Sequence, residues 1–89
     1  MNKIKCYRLD IYNTDVLHIF EPVGLINNIL NKYKCLCVKP DNAKNMVKCF
    51  FTNIDDRYEA FMEFEANNID CRLIPLTALI DKKEEIKSL

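Results

Sequence analysis

Between residues 46 and 75 the hydrophobic pattern changes period twice, and this constrains the fold more than any other feature of the chain. Met46-Val47-Lys48-Cys49-Phe50-Phe51 is a short apolar run rich in strand formers. Asp55-Asp56 then opens a helical pattern, and Cys71-Arg72-Leu73-Ile74-Pro75 is apolar and extended again. The reading is strand, helix, strand. No motif inside or outside the unit specifies a chemistry, so fold and surface have to be read first.

The first half repeats the pattern. Residues 3–12 alternate, with Tyr7, Leu9 and Ile11 against Cys6, Arg8 and Asp10, which suits a strand with one apolar face. Asn13-Thr14-Asp15 is turn chemistry, since short polar side chains bond their own backbone there. Residues 16–20 read as a hairpin-like extended segment, with the first turn of a helix as the alternative. From residue 22 to 33 the apolar positions Ile26, Ile29, Leu30 and Tyr33 follow helical spacing, and Pro22 is tolerated in the first turn because its missing N–H has no intrahelical partner. Residues 34–39 form a strand that ends at Pro40-Asp41-Asn42, and residues 46–53 pair with it antiparallel. Asp55 or Asp56 is expected to cap the second helix, whose apolar stripe is Tyr58, Phe61, Met62 and Phe64 with Asp56, Glu59 and Glu63 opposite. Asn67-Asn68 ends it. Residues 69–76 are the last strand, at a sheet edge or stopped by Pro75, which cannot donate to a ladder. Residues 77–89 are a charged tail or short terminal helix.

Strand, helix, strand, strand, helix, strand is the order of a ferredoxin-like α+β sandwich, an antiparallel sheet with two helices on one face. The length of 89 residues leaves no room for a second core, so residues 1–89 are expected to form a single domain. Nothing resembles a secretory leader and no apolar run is long enough to span a bilayer, which predicts a soluble cytoplasmic protein. Lys+Arg and Asp+Glu balance at 13 each, which argues against a domain whose affinity comes from neutralising many phosphates. The excess of Lys over Arg, with abundant Asn and Ile, has the look of an AT-rich coding genome such as that of a low-GC bacterium or its mobile elements.

Five cysteines, Cys6, Cys35, Cys37, Cys49 and Cys71, occupy the predicted strands. An odd number in a chain without export signal speaks against a disulfide framework. Cys35 and Cys37 are two apart in a strand and so are expected on one face, where a thiolate metal site would need further ligands from Cys6, Cys49, Cys71 or His18. The Cys-x-Cys spacing lacks the Cys-x-x-Cys knuckle, and burial of the thiols as small hydrophobes is the preferred reading, with no metal or cofactor assigned. His18, the sole histidine, lies in an apolar run and selects no thiol as a nucleophile partner. Asp10 with Asp55 and Asp56 is a weak pattern for a divalent cation, because capping explains the latter pair. Glu65 sits at the border of the helical stripe and must reach solvent or pair with Arg72 or Arg8.

Two surfaces remain. Tyr7, Phe50 and Phe51 with Lys5, Arg8 and Lys48 are what an RNA-binding or nuclease-like sheet would use, but the aromatic and glycine motif of RNA-recognition domains is absent; Gly24 is the sole glycine. Apolar residues occur on both faces of the strands, so the sheet face away from the helices is expected to need a cover: a second copy, a partner, or residues 16–20 and the tail. These features predict a small non-enzymatic protein-binding or regulatory module without a catalytic site. It would be a homodimer through the open sheet face, possessing an acidic helix face (Asp55, Asp56, Glu59, Glu63) and Phe50 as partner contacts. A phage or mobile-element inhibitor of a host protein fits its size and composition.

Overall fold

The computed structural model describes residues 3–13 and 22–81, with backbone alone for residues 22 and 23. The expectations for residues 16–20, for His18 and for residues 82–89 lie outside this range. The elements are β1 (Lys3–Tyr12), α1 (Pro22–Lys32), β2 (Cys35–Asp41), a 3-10 turn (Asn42–Lys44), β3 (Met46–Phe51), α2 (Ile54–Ala66) and β4 (Cys71–Asp81). The strands form one antiparallel sheet in the order β2-β3-β1-β4, and with two helices the class is α+β. No described helix is long and apolar enough to cross a membrane.

Alternation along the strands sends one set of side chains to the helices and the other away from them. On the helix side Leu9, Ile11, Val38, Val47, Cys49 and Phe51 pack with Ile26, Ile29 and Leu30 of α1 and with Ala60 and Phe64 of α2. Three asparagines and one lysine in the left-handed region shape the connections: Asn13, Lys34, Asn45 and Asn68 all have φ between 50° and 60°. Asparagine tolerates this region because its short amide bonds locally.

Several expectations are corrected here. Asn53, not Asp55 or Asp56, caps α2: its Oδ1 accepts the N–H groups of Asp55 at 2.8 Å and Asp56 at 3.1 Å. The two aspartates occupy the first turn, where the helix dipole favours them. Strand β4 does not stop near Leu76 but runs to Asp81, so residues 77–81 are strand rather than tail. It passes Pro75 through a bulge, since Tyr7 pairs with Thr77 while Arg8 pairs with Ile74. Arg57 fills that irregularity, its Nη1 donating to the carbonyls of Ile74 at 2.8 Å and Arg8 at 3.3 Å.

Arg57 also explains why the buried stripe of α2 is rotated from its expected position. Arg57, Ala60, Phe61 and Phe64 are the inward set, at i, i+3, i+4 and i+7, with Ala60 and Phe64 at 0% exposure. Tyr58 and Met62, expected in the stripe, are each 51% exposed. A charged residue that turns inward to satisfy backbone carbonyls shifted the whole face.

The second sheet face was expected to need a cover, and its apolar centre is covered within the single chain. Cys6, Cys37, Phe50 and Ile80 form a separate cluster at 0–5% exposure, with Ile4, Leu36 and Ala78 against it. The apolar residues of this face are thus buried within one chain rather than left uncovered.

Candidate functional site

The thiols do not converge. A bulge between Cys35 and Cys37 pairs Cys35 with Phe51 and Cys37 with Phe50, so the two cysteines face opposite sides of the sheet rather than the same one. Cys35 packs on the helix-side core and Cys37 in the second cluster. Burial raises the thiols of Cys6, Cys49 and Cys71, that of Cys71 to about 12, whereas a hydrogen bond with Cys49 lowers Cys35. Among the described residues no three histidines, cysteines or carboxylates are placed to hold a metal ion. Asp10 lies on the sheet face away from the helices and Asp55 and Asp56 on α2, so that carboxylate set is not brought together. Glu65 is exposed and needs no partner.

Two charged surfaces do form, on opposite sides of the molecule. The first is the outward band of α2. Rotation of the buried stripe leaves Tyr58 and Met62 beside Glu59 and Glu63, and these four with Tyr33, just beyond α1, line an open groove of about 490 Å³. Asp55 and Glu59 are exposed; Asp56 and Glu63 are half-buried. Glu63 is committed within the chain: its Oε1 accepts from the Tyr33 hydroxyl at 2.7 Å and from Lys32 Nζ at 2.9 Å. These contacts fix one wall of the groove by tying the end of α1 to α2. The acidic face expected from the sequence is therefore present in Asp55, Asp56 and Glu59, while Glu63 is neutralised by Lys32. What the sequence reading missed is the aromatic and methionine component, Tyr33, Tyr58 and Met62. No local signal marks this shift: the heptad Arg57, Ala60, Phe61, Phe64 moves Tyr58 and Met62 out only once Arg57 turns inward to the carbonyls of Arg8 and Ile74.

Hydrogen bonds from Lys32 first and Tyr33 second hold the Glu63 carboxyl below its ordinary 4.5. A depressed carboxyl contributes stability at neutral pH that is lost as pH falls through its folded value. The stability difference between the parent and Glu63→Gln should therefore shrink as pH is lowered from about 6 to about 3. Urea titrations across that range check it; a constant difference would show that Glu63 is not held by these bonds.

The second surface is a polar row that crosses the sheet on the face away from the helices. Register places Lys39 opposite Lys48, Lys48 opposite Asp10, and Asp10 opposite Arg72. Asp10 is 1% exposed and is gripped by Arg8, Nε to Oδ1 at 2.7 Å and Nη2 to Oδ2 at 2.8 Å, with the Tyr12 hydroxyl at 3.4 Å. Arg72 lies over the Tyr12 ring at 5.8 Å and Lys39 over the Phe50 ring at the same distance. Arg8 thus grips Asp10 directly, Lys48 and Arg72 are its cross-strand neighbours, and Lys39 extends the row beyond Lys48. Phe50, expected as a partner contact, is 5% exposed and contributes to the buried cluster of this face.

Comparison with known proteins finds no match: no family model, curated protein or solved structure is significantly similar to this chain.

Proposed function

We propose that the protein is a small non-enzymatic protein-binding module that docks a basic, partly apolar segment of a partner on the α2 face. The observation that carries this reading is the groove between Tyr33 and α2, where half-exposed Tyr58 and Met62 lie beside exposed acid at Asp55 and Glu59. Aromatic and methionine side chains supply contact area at low entropic cost, and adjacent carboxylates select a cationic partner and accelerate its approach. A regulatory or inhibitory role toward a host protein, in a phage or mobile-element setting, follows from the small size and AT-rich composition. The ferredoxin-like reading of the fold is supported by the order β2-β3-β1-β4, in which each helix links two strands separated by a third antiparallel one. Cytoplasmic location and a homodimer belong to the same reading; with the apolar cluster of the open sheet face buried, the dimer contact is better placed elsewhere.

Panning a displayed library of random peptides against the full chain tests the docking surface. Selected peptides should be enriched in Lys or Arg next to apolar residues, weaken with salt, and bind about tenfold less tightly to the Tyr58→Ala/Glu59→Lys variant. Selection without basic enrichment, or equal affinity for the variant, would overturn the proposal.

A second reading, polyanion binding, is favoured by the cross-sheet row of Lys39, Lys48 and Arg72 with Arg8. In that case a single-stranded oligonucleotide binds at low salt, where the electrostatic contribution is largest, and Lys48→Glu/Arg72→Glu abolishes it. Absence of binding at low salt removes this reading and leaves the first.

A further inference from the structure

Lys32 makes, inside the chain, the contact that the α2 groove offers to a partner's cation. It is the last residue of α1 and does not itself line the groove. Its Nζ nevertheless lies 2.9 Å from Oε1 of Glu63, on the groove wall, and 5.3 Å from the centre of the Tyr33 ring, which lines the groove beside it. One carboxylate oxygen and one aromatic face are the groups that hold an ammonium in a recognition site. The Tyr33 hydroxyl donates to the same oxygen at 2.7 Å, and among the described residues Oε2 accepts no hydrogen bond. The wall therefore carries two carboxylates one helical turn apart, Glu59 exposed and Glu63 engaged.

Building on the docking role proposed for the α2 face, we infer that Lys32 is an internal competitor at the groove: its ammonium masks Glu63, and a basic partner segment gains a second anionic anchor by displacing it. The mask is weakly held. The Lys32 side chain is 60% exposed and that of Glu63 29%, and an ion pair this open to water contributes little to the fold. Its release therefore costs little. Nor does the carboxylate lose its orientation, because the shorter of its two bonds, from the Tyr33 hydroxyl, remains to aim it. A cation entering along the groove then meets Glu63 as well as Glu59, where the masked groove presents only Glu59 uncompensated. Apolar contact with Tyr58 and Met62 holds the incoming segment beside these carboxylates, an advantage over Lys32, which reaches Glu63 from the end of α1.

Fluorescence anisotropy of a basic peptide selected on the full chain, measured with the parent, Lys32→Met, Glu63→Gln and Lys32→Met/Glu63→Gln, tests the inference. Lys32→Met should bind the peptide about two- to fivefold tighter than the parent and with a steeper salt dependence. The gain should vanish when the same substitution is made in the Glu63→Gln background. Lys32 is largely exposed, so its variant is expected to fold with an unchanged circular dichroism spectrum. Unchanged or weaker binding by Lys32→Met would show that Lys32 supports the groove rather than masking it, and an equal gain in the Glu63→Gln background would show that net charge alone is responsible. Either result overturns the mask while the docking role stands. A peptide that binds the parent but is indifferent to Tyr58→Ala/Glu59→Lys removes the docking role, and the mask with it.

Discussion

Arg8→Met is expected to destabilise the fold by about 3 kcal/mol, because it leaves the Asp10 carboxylate buried without its cation. Asp10 is 1% exposed on the sheet, and both of its oxygens accept from the Arg8 guanidinium. The Arg8 side chain is 29% exposed, which places the loss at the lower end of the range for breaking a buried pair. The asymmetry between partners is the sharper expectation. Asp10→Asn removes the charge that cannot reach water and leaves an arginine that can, so it should cost less than Arg8→Met. Arg8→Met/Asp10→Leu should recover most of the loss, since two apolar side chains on that face extend the cluster around Phe50. Urea unfolding of the four proteins measures this directly. Equal losses for the two single variants would mean that the pair contributes packing alone.

Phe64→Ala is expected to lose about 3–5 kcal/mol, the range for truncating a fully buried aromatic. Phe64 is 0% exposed and belongs to the cluster that joins both helices to the sheet. Its carbonyl also accepts from the N–H groups of Asn67 and Ile69, which terminate α2 and start the path into β4. The cavity would open where three elements meet, so little collapse can fill it. The denaturant midpoint should fall with the slope unchanged, because the folded state loses packing and not its extent. By contrast Met62→Ala, two residues away on the opposite side of α2 and half exposed, should shift the midpoint little; a loss equal to that of Phe64→Ala would contradict the rotated face of α2.

The distinction between those two positions is where the sequence and the structure part. Period-2 alternation in residues 3–12 and helical spacing through Ile26, Ile29 and Leu30 were legible because each segment's apolar set lies on the face that its own period dictates, and the apolar run 46–51 because β3 is buried on both faces. Three features were not, each for a physical reason. The position of the buried stripe of α2 depends on Arg57, whose inward course is decided by the carbonyls of Arg8 and Ile74, residues far away in sequence. The faces of Cys35 and Cys37 depend on a bulge that the partner strand reveals and the local pattern does not. The length of β4 depends on β1 as a template, which carries the strand past Pro75 to Asp81 against the local stop signal. Of the candidate site, the acidic residues were legible from the wheel and the groove was not. Tyr33 reaches it from the end of another helix, and Tyr58 and Met62 join it only when Arg57 is counted as an inward residue.

Amide chemical-shift mapping with a lysine-bearing peptide selected on the full chain tests the docking surface most directly. Binding at the α2 face predicts perturbations confined to Tyr33, Tyr58, Glu59, Met62 and Glu63, and their disappearance in Tyr58→Ala/Glu59→Lys. Perturbations centred on Lys39, Lys48 and Arg72, or spread without a focus, would contradict it.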